Sequence, residues 1–131
     1  MKWLLVLFLF CLTTETDTIV FINHAEATST PAVIEVVYTK EDIIRNIKEV
    51  FPDEPRMVKV AKCESGYKLD AKGPTSDHGL FQIYAPTWDK TAKGLGLTEY
   101  QTNLEQNLKM ARYILDHQGI SAWNSSKYCW E

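Results

Sequence analysis

Apolar positions recur at helical spacing through most of residues 39–118, interrupted once by a polar stretch. Ile43, Ile44, Ile47, Val50 and Phe51 form one apolar face, and the Thr39-Lys40-Glu41-Asp42 segment ahead of them has a capping-box pattern with Asp in place of Glu. A helix starting at Thr39 is therefore expected. Pro52-Asp53-Glu54-Pro55 stops it and opens a second helix, with Asp53 as the expected N-cap. In that second helix Met57, Val60, Ala61 and Glu64 fall at i, i+3, i+4 and i+7, and Gly66 closes it. Residues 67–76 are polar and carry the turn signal Gly73-Pro74. Leu80-Phe81-Gln82-Ile83 fits either a short strand or the opening of a helix. Pro86 starts a third helix through Trp88 and Ala92, ended by Gly94 and Gly96. A fourth begins near Asn103, carries Leu104, Leu108, Ala111 and Leu115 on its core stripe, and stops at Gly119. An aromatic tail with Trp123, Tyr128 and Trp130 follows. The pattern predicts a mainly α fold, a small helical domain with a short polar hairpin or loop.

The first residues read as a targeting segment. Lys2 precedes an apolar run from Trp3 to Leu12, and Ala25-Glu26-Ala27 offers small residues at a peptidase's spacing. Residues 1–27 are expected to be a secretory signal peptide and 28–38 an N-terminal extension, with the folded domain at 39–131. The run is too short for a bilayer, which takes about 20 apolar residues. The polar stretch between Thr13 and His24 is long for a signal, so an uncleaved N-terminal anchor is the competing reading. Phe10 is bulky where a lipoprotein signal carries a small residue before its cysteine, here Cys11.

The chain has 131 residues, 45% apolar and 24% charged, with a formal net charge of -3. These values sit near the globular average and exclude a disordered, collagen-like or polytopic membrane chain. Charges of both signs leave no broad cationic surface, so no nucleic-acid partner is expected. Removing the signal takes away Lys2, Glu15, Asp17 and Glu26, leaving 13 basic and 14 acidic residues. It also removes Cys11, so Cys63 and Cys129 remain as an even pair in an exported chain, which points to a disulfide. Two buried free thiols are the alternative. His24, His78 and His117 share no ligand-like spacing with either cysteine, and no metal or other cofactor is expected.

Glu64 is the chemically unusual residue. It shares a stripe with three core residues and lies in the last turn of its helix, and desolvation and the helix dipole both disfavour its charge. Lys62 points to another face, whereas Lys68 could pair with Glu64 and make it an ordinary structural residue. A carboxylic acid kept neutral near neutral pH is what general-acid cleavage of a glycosidic bond uses.

Cys63-Glu64-Ser65-Gly66-Tyr67 followed by Gly79-Leu80-Phe81-Gln82-Ile83 resembles the Glu-Ser and Gly-Leu-Met-Gln motifs of lytic transglycosylases in the lysozyme-like superfamily. The 18-residue step from Glu64 to Gln82 is similar to the family's spacing. Asn103-Leu104-Glu105-Gln106-Asn107-Leu108 resembles its Asp-Pro-x-x-Asn-Ile helix start, and Ala122-Trp123-Asn124 its Ala-Tyr-Asn motif. The likeness covers roughly residues 55–130. It implies an α+β lysozyme-like fold with an active-site cleft, and cleavage of the MurNAc-β-1,4-GlcNAc bond of peptidoglycan. Glu64 would protonate the leaving oxygen and then act as base while the muramyl 6-hydroxyl closes a 1,6-anhydro ring. Ser65 would support the geometry of Glu64, Gln82 would bond sugar or the catalytic residue, and Asn107 would tie the helix start to the cleft. Tyr84, Trp88 and Trp123 are candidate sugar platforms, with a core role equally open for Trp88.

Two departures matter. Trp123 stands where the family usually has Tyr, and an indole donates a hydrogen bond but accepts none. Ser76-Asp77-His78-Gly79 resembles the Ser-x-Asp-x-Gly stretch of animal-type lysozymes, in which the Asp is the second catalytic carboxylate. Asp77 is thus either a second carboxylate, favouring hydrolysis, or a turn residue bonding nearby backbone; His78 reads as a turn or rim residue. A glycan-binding module without catalysis is the reading from another class. The expected setting is a secreted or extracytoplasmic monomer in periplasm or cell wall, with glycan strands as partner and no stable membrane insertion after signal cleavage.

Overall fold

The structure is a computed structural model that describes residues 36–131, of which Val37–Glu131 form one compact unit. The signal segment 1–27 with Cys11, and residues 28–35 of the extension, lie outside the described residues. Helix α1, Lys40–Val50, begins where the capping box places it. Thr39 Oγ1 accepts from the Asp42 N–H at 3.1 Å, and Asp42 Oδ2 accepts from the Thr39 N–H at 3.1 Å. Ile43, Ile47 and the following Phe51 are buried against the other helices.

Helix α2, Met57–Ser65, starts later than its acidic neighbour suggests. Its N-cap is Arg56, without a side-chain cap, so the expectation for Asp53 is corrected. Two successive turns, closed by Glu54 N–H to Phe51 O (3.2 Å) and Met57 N–H to Glu54 O (3.1 Å), occupy the Pro-flanked segment. Asp53 therefore stands ahead of the N-cap Arg56, and its side chain caps no helical amide. Its carboxylate instead takes a forked pair of bonds from Arg112, at 2.6 and 3.1 Å, across 59 residues of chain. Two charge-assisted bonds in a forked geometry satisfy the carboxylate there. Gly66 ends α2 in the left-handed conformation, with φ +61°.

The polar stretch folds into a hairpin. Strands β1 (Asp77–His78) and β2 (Ile83–Tyr84) pair antiparallel, with Asp77 opposite Tyr84 and His78 opposite Ile83. Leu80–Gln82 belong to the turn, so the open choice for residues 80–83 resolves into a turn followed by a strand. Helix α3, Ala85–Gly94, carries Pro86 in its first turn. Helix α4, Leu104–Gln118, is capped by Asn103, whose side chain accepts from the Gln106 N–H at 3.0 Å. A 3-10 helix, Ile120–Ser126, and the short α5, Lys127–Trp130, complete the chain.

The mainly α architecture follows the periodicity. Its centre is aromatic: Phe81 contacts Phe51 edge-on at 5.6 Å between ring centroids and Trp123 at 6.0 Å. Met57, Val60, Met110 and Trp130 close around them, each 1% exposed or less. Cys63 and Cys129 form the disulfide, Cα atoms 6.0 Å apart, joining α2 to α5 across 66 residues. Replacing both cysteines by alanine should lower the unfolding free energy by about 4 kcal/mol, the loop-entropy value for a closure of this length. Urea denaturation of the double variant against the parent checks it, and coincident midpoints would contradict it.

Candidate active site

Glu64 projects from the last turn of α2, where three core neighbours on its stripe pull it half out of water. Burial pushes its carboxyl above the usual carboxylate range; a hydrogen bond from Ser126 offsets part of this, and the negative charge of Asp77 adds to it. The Ser126 Oγ donates to Glu64 Oε1 at 2.5 Å. Lys62 and Lys68 are exposed, and among the described residues Glu64 forms no ion pair. The arrangement with Lys68 is therefore not the one adopted.

The turn between the strands is held from several sides. Ser65, next to Glu64, directs its hydroxyl to the Leu80 carbonyl (2.8 Å) and the Ala61 carbonyl (3.1 Å). Asn107, 1% exposed on α4, accepts from the Phe81 N–H at 3.3 Å and donates to the Tyr100 carbonyl at 2.6 Å. Trp123 donates its ring N–H to the Phe81 carbonyl at 3.0 Å. Gln82 adopts a left-handed φ of +46°, a costly conformation for a side-chain-bearing residue. Its amide offsets that cost by donating to the carbonyls of Gly79 (3.0 Å) and Ala71 (3.2 Å). Gly79 has no room for a side chain: a Cβ there would lie 2.4 Å from Asn107 Nδ2, and φ is +75°.

A cleft of about 320 Å³ opens beside this turn, with Glu64, Asp77, Gln82, Tyr84, Trp88 and Trp123 among its walls. Asp77 faces it from β1, its carboxylate bonded by the Thr75 hydroxyl. Gly73 on the facing loop allows the close approach, since a Cβ there would come within 2.7 Å of Gln82 Oε1 and 3.1 Å of Asp77 Cβ. Tyr84 is 45% exposed and presents its ring to solvent. Trp88 is half-buried, its ring edge-on to Tyr113 at 6.2 Å. Trp123 is only 5% exposed and commits its N–H to backbone, so it bounds the cleft mainly as a wall. His78 is half-buried in β1 and is not among the residues lining the cleft. Among the described residues no three His, Cys, Asp or Glu side chains cluster as metal ligands.

Ser126 carries no signal in the sequence, because nothing in a Ser-Ser pair beyond the last long helix marks a contact with a residue 62 positions earlier. Trp130, in the sequence one residue of an aromatic tail, donates to that same Ser126 oxygen at 3.2 Å.

Residues 52–126 match the family described as a transglycosylase-like domain. The chain belongs to that family. The family segment contains Glu64, the whole hairpin, Asn107, Trp123 and Ser126, so the cleft lies within it. The chain is also similar to Lysozyme 1 of Musca domestica, 32% identical over 89 residues, covering 57% of this chain and 63% of that protein. Lysozyme P of Drosophila melanogaster is 32% identical over 84 residues, covering 53% and 60%. Lysozyme C-3 of Ovis aries is 25% identical over 107 residues, covering 66% and 73%. The match thus spans less than two thirds of the length of the two fly relatives. No solved structure gives a significant match.

The upward shift of Glu64 carries a stability consequence. A carboxyl whose folded pKa lies above its unfolded value opposes folding once ionised, and the penalty vanishes below the unfolded pKa. Glu64→Gln, neutral at every pH and still able to accept from Ser126, should therefore unfold at a higher temperature than the parent at about pH 8. The gap should close as pH falls to about 4. Thermal unfolding across that range checks it, and a variant less stable at pH 8 would contradict it.

Proposed function

We propose that the chain is an exported glycosidase that cleaves the MurNAc-β-1,4-GlcNAc bond of peptidoglycan, with Glu64 as general acid and then base. The observation that carries this reading is Glu64 itself: a half-buried carboxyl with no cationic partner among the described residues, pushed toward its neutral form, at the wall of an open cleft. Membership of the transglycosylase-like family supports the reaction class, and the similarity to proteins named lysozymes supports a wall glycan as substrate. The disulfide supports an oxidising compartment. Periplasm, cell wall and extracellular space are all such settings.

In the first step neutral Glu64 gives its proton to the glycosidic oxygen as the C1–O bond breaks, and positive charge gathers at C1 and the ring oxygen. The carboxylate left behind then takes a proton from the hydroxyl that attacks C1. If that hydroxyl is the muramyl 6-OH, the product is a 1,6-anhydro sugar and the protein is a lytic transglycosylase, the reading favoured by the motif spacing. If it is water, the product carries a reducing end. Asp77 keeps this second reading open, because a second carboxylate lines the same cleft, as a lysozyme-type hydrolysis uses. Tyr84 offers an exposed ring face for a pyranose, while Ser65, Gln82 and Asn107 hold the turn beneath the cleft. The protein acts as a monomer, since one small core consumes most of the apolar periodicity.

Glu64→Gln should fold and lose lysis of purified sacculi by about three orders of magnitude, the usual scale for a general acid. Full activity in that variant would end the assignment. Mass spectrometry of the parent's products separates the two chemistries: hydrolysis adds one water, about 18 Da, to each cleaved bond and cyclisation adds none.

A further inference from the structure

The two carboxyl oxygens of Glu64 stand in different surroundings. Oε1 takes the hydroxyl hydrogen of Ser126, whereas Oε2 has no hydrogen-bond partner among the described residues. No buried side-chain oxygen or nitrogen there lacks a partner, so Oε2 reaches solvent, and the solvent beside Glu64 is the cleft.

The Ser126 hydroxyl is constrained from behind. Trp130, 1% exposed, shares its ring N–H between Ser126 Oγ at 3.2 Å and the Trp123 carbonyl at 3.1 Å. An indole N–H can only donate, so Ser126 Oγ must accept from it, and one serine lone pair is filled. The serine hydrogen then has two acceptors, Glu64 Oε1 at 2.5 Å and the Trp123 carbonyl at 3.2 Å. The shorter contact goes to the carboxyl. The disulfide flanks this junction on both strands of chain: Cys63 precedes Glu64, and Cys129 precedes Trp130.

We propose that Ser126, oriented by Trp130, is a positioning residue that reserves Oε1 as an acceptor and so holds the acid proton of Glu64 on Oε2, facing the cleft. The proposal rests on Glu64 being the acid. A proton on Oε1 would point into the protein, away from any glycan, and would have to displace the serine hydrogen. With Oε1 occupied by a donor, the proton on Oε2 leaves for the glycosidic oxygen, and the Ser126 bond becomes charge-assisted as it does so. An interaction that strengthens as charge develops lowers the barrier rather than merely binding the ground state. Other charges around the junction are accounted for. Asp77 faces Glu64 from β1; Arg56, over the Trp130 ring, is paired with Glu54; Lys127 is paired with Glu131; Lys62 and Lys68 are exposed.

The test compares the parent with Ser126→Ala, Ser126→Thr and Trp130→Phe, using carbon-detected NMR titration of the Glu64 carboxyl and turnover of soluble uncrosslinked peptidoglycan strands. Removing a donor to the carboxylate should raise the Glu64 pKa in Ser126→Ala, moving the alkaline limb of the kcat profile, where the acid loses its proton, to higher pH. Its kcat should fall about tenfold with KM within about twofold, the scale for removing a group that orients a reacting one. Ser126→Thr, which keeps a hydroxyl, should restore both. Trp130→Phe, which keeps an aromatic ring and drops the N–H, should shift the titration in the same direction by less. Should Ser126→Ala fail to fold, the contrast between the threonine and phenylalanine variants carries the test. An active parent with Ser126→Ala titrating as it does, or losing turnover with no shift of the limb, would overturn the role of Ser126 alone. A parent that turns over no strand would overturn the glycosidase reading instead.

Discussion

The backbone of residues 79–81 is where four parts of the molecule meet. The Gly79 carbonyl accepts from the Gln82 side chain, the Leu80 carbonyl from Ser65 of α2, and the Phe81 carbonyl from Trp123 of the 3-10 helix. The Phe81 N–H, in turn, donates to Asn107 of α4. Gly79, Leu80 and Phe81 are themselves buried, so each of these polar groups would cost about 1–3 kcal/mol if left without a partner. A turn in solvent would need none of these side chains. Buried, it can hold only one conformation, the one in which all the partners arrive together. The positions of Glu64 and of the cleft floor follow from that one requirement, because Ser65 adjoins Glu64 and Gln82 ends the turn.

The same requirement explains what could be read along the chain and what could not. Helices α1 and α4 were legible from periodicity and from the caps Thr39 and Asn103, because those signals act within four residues. Glu64 was legible because a carboxylate on an apolar stripe conflicts with its surroundings at the same short range. The disulfide needed only counting. Asp53 has the local pattern of a cap, while its actual partner, Arg112, lies 59 residues away. Ser126 gave no local signal at all. Gln82, Asn107 and Trp123 stood out as motif residues, but the motif did not say that each spends its polar atoms on backbone. Long-range hydrogen bonds leave no period in a sequence; only the folded chain says which donor meets which acceptor.

The site also runs against stability. A half-buried carboxyl, a left-handed Gln82 and two glycines that admit no Cβ are each unfavourable or restrictive in isolation. They gather in the cleft and the turn beside it, while the aromatic centre and the 66-residue disulfide closure supply the offset. The disulfide is placed where it serves both purposes. It stiffens a small core, and it ties Glu64, next to Cys63, to Trp130, next to Cys129, whose ring N–H bonds the Ser126 oxygen that reaches the Glu64 carboxyl.

Asp77 bears on the chemistry in a way that does not depend on which product forms. Its charge favours the neutral form of Glu64 and, under the proposed reading, would stabilise the positive charge that gathers at C1 during cleavage; both are through-space effects on the cleft it lines. Neither asks Asp77 to attack carbon. Its bond to the Thr75 hydroxyl and its place in β1 hold the carboxylate to the hairpin side, in keeping with a fixed charge. A second carboxylate in such a cleft is therefore compatible with cyclisation as well as with hydrolysis. Under the proposed reading the outcome turns on which hydroxyl reaches C1 first once Glu64 is ionised. The muramyl 6-OH belongs to the same sugar and is present at high effective concentration, whereas water must enter past the bound strand. Cyclisation is then favoured whenever the strand fills the cleft closely enough to exclude water, and hydrolysis whenever it does not, with the same two carboxylates in both cases.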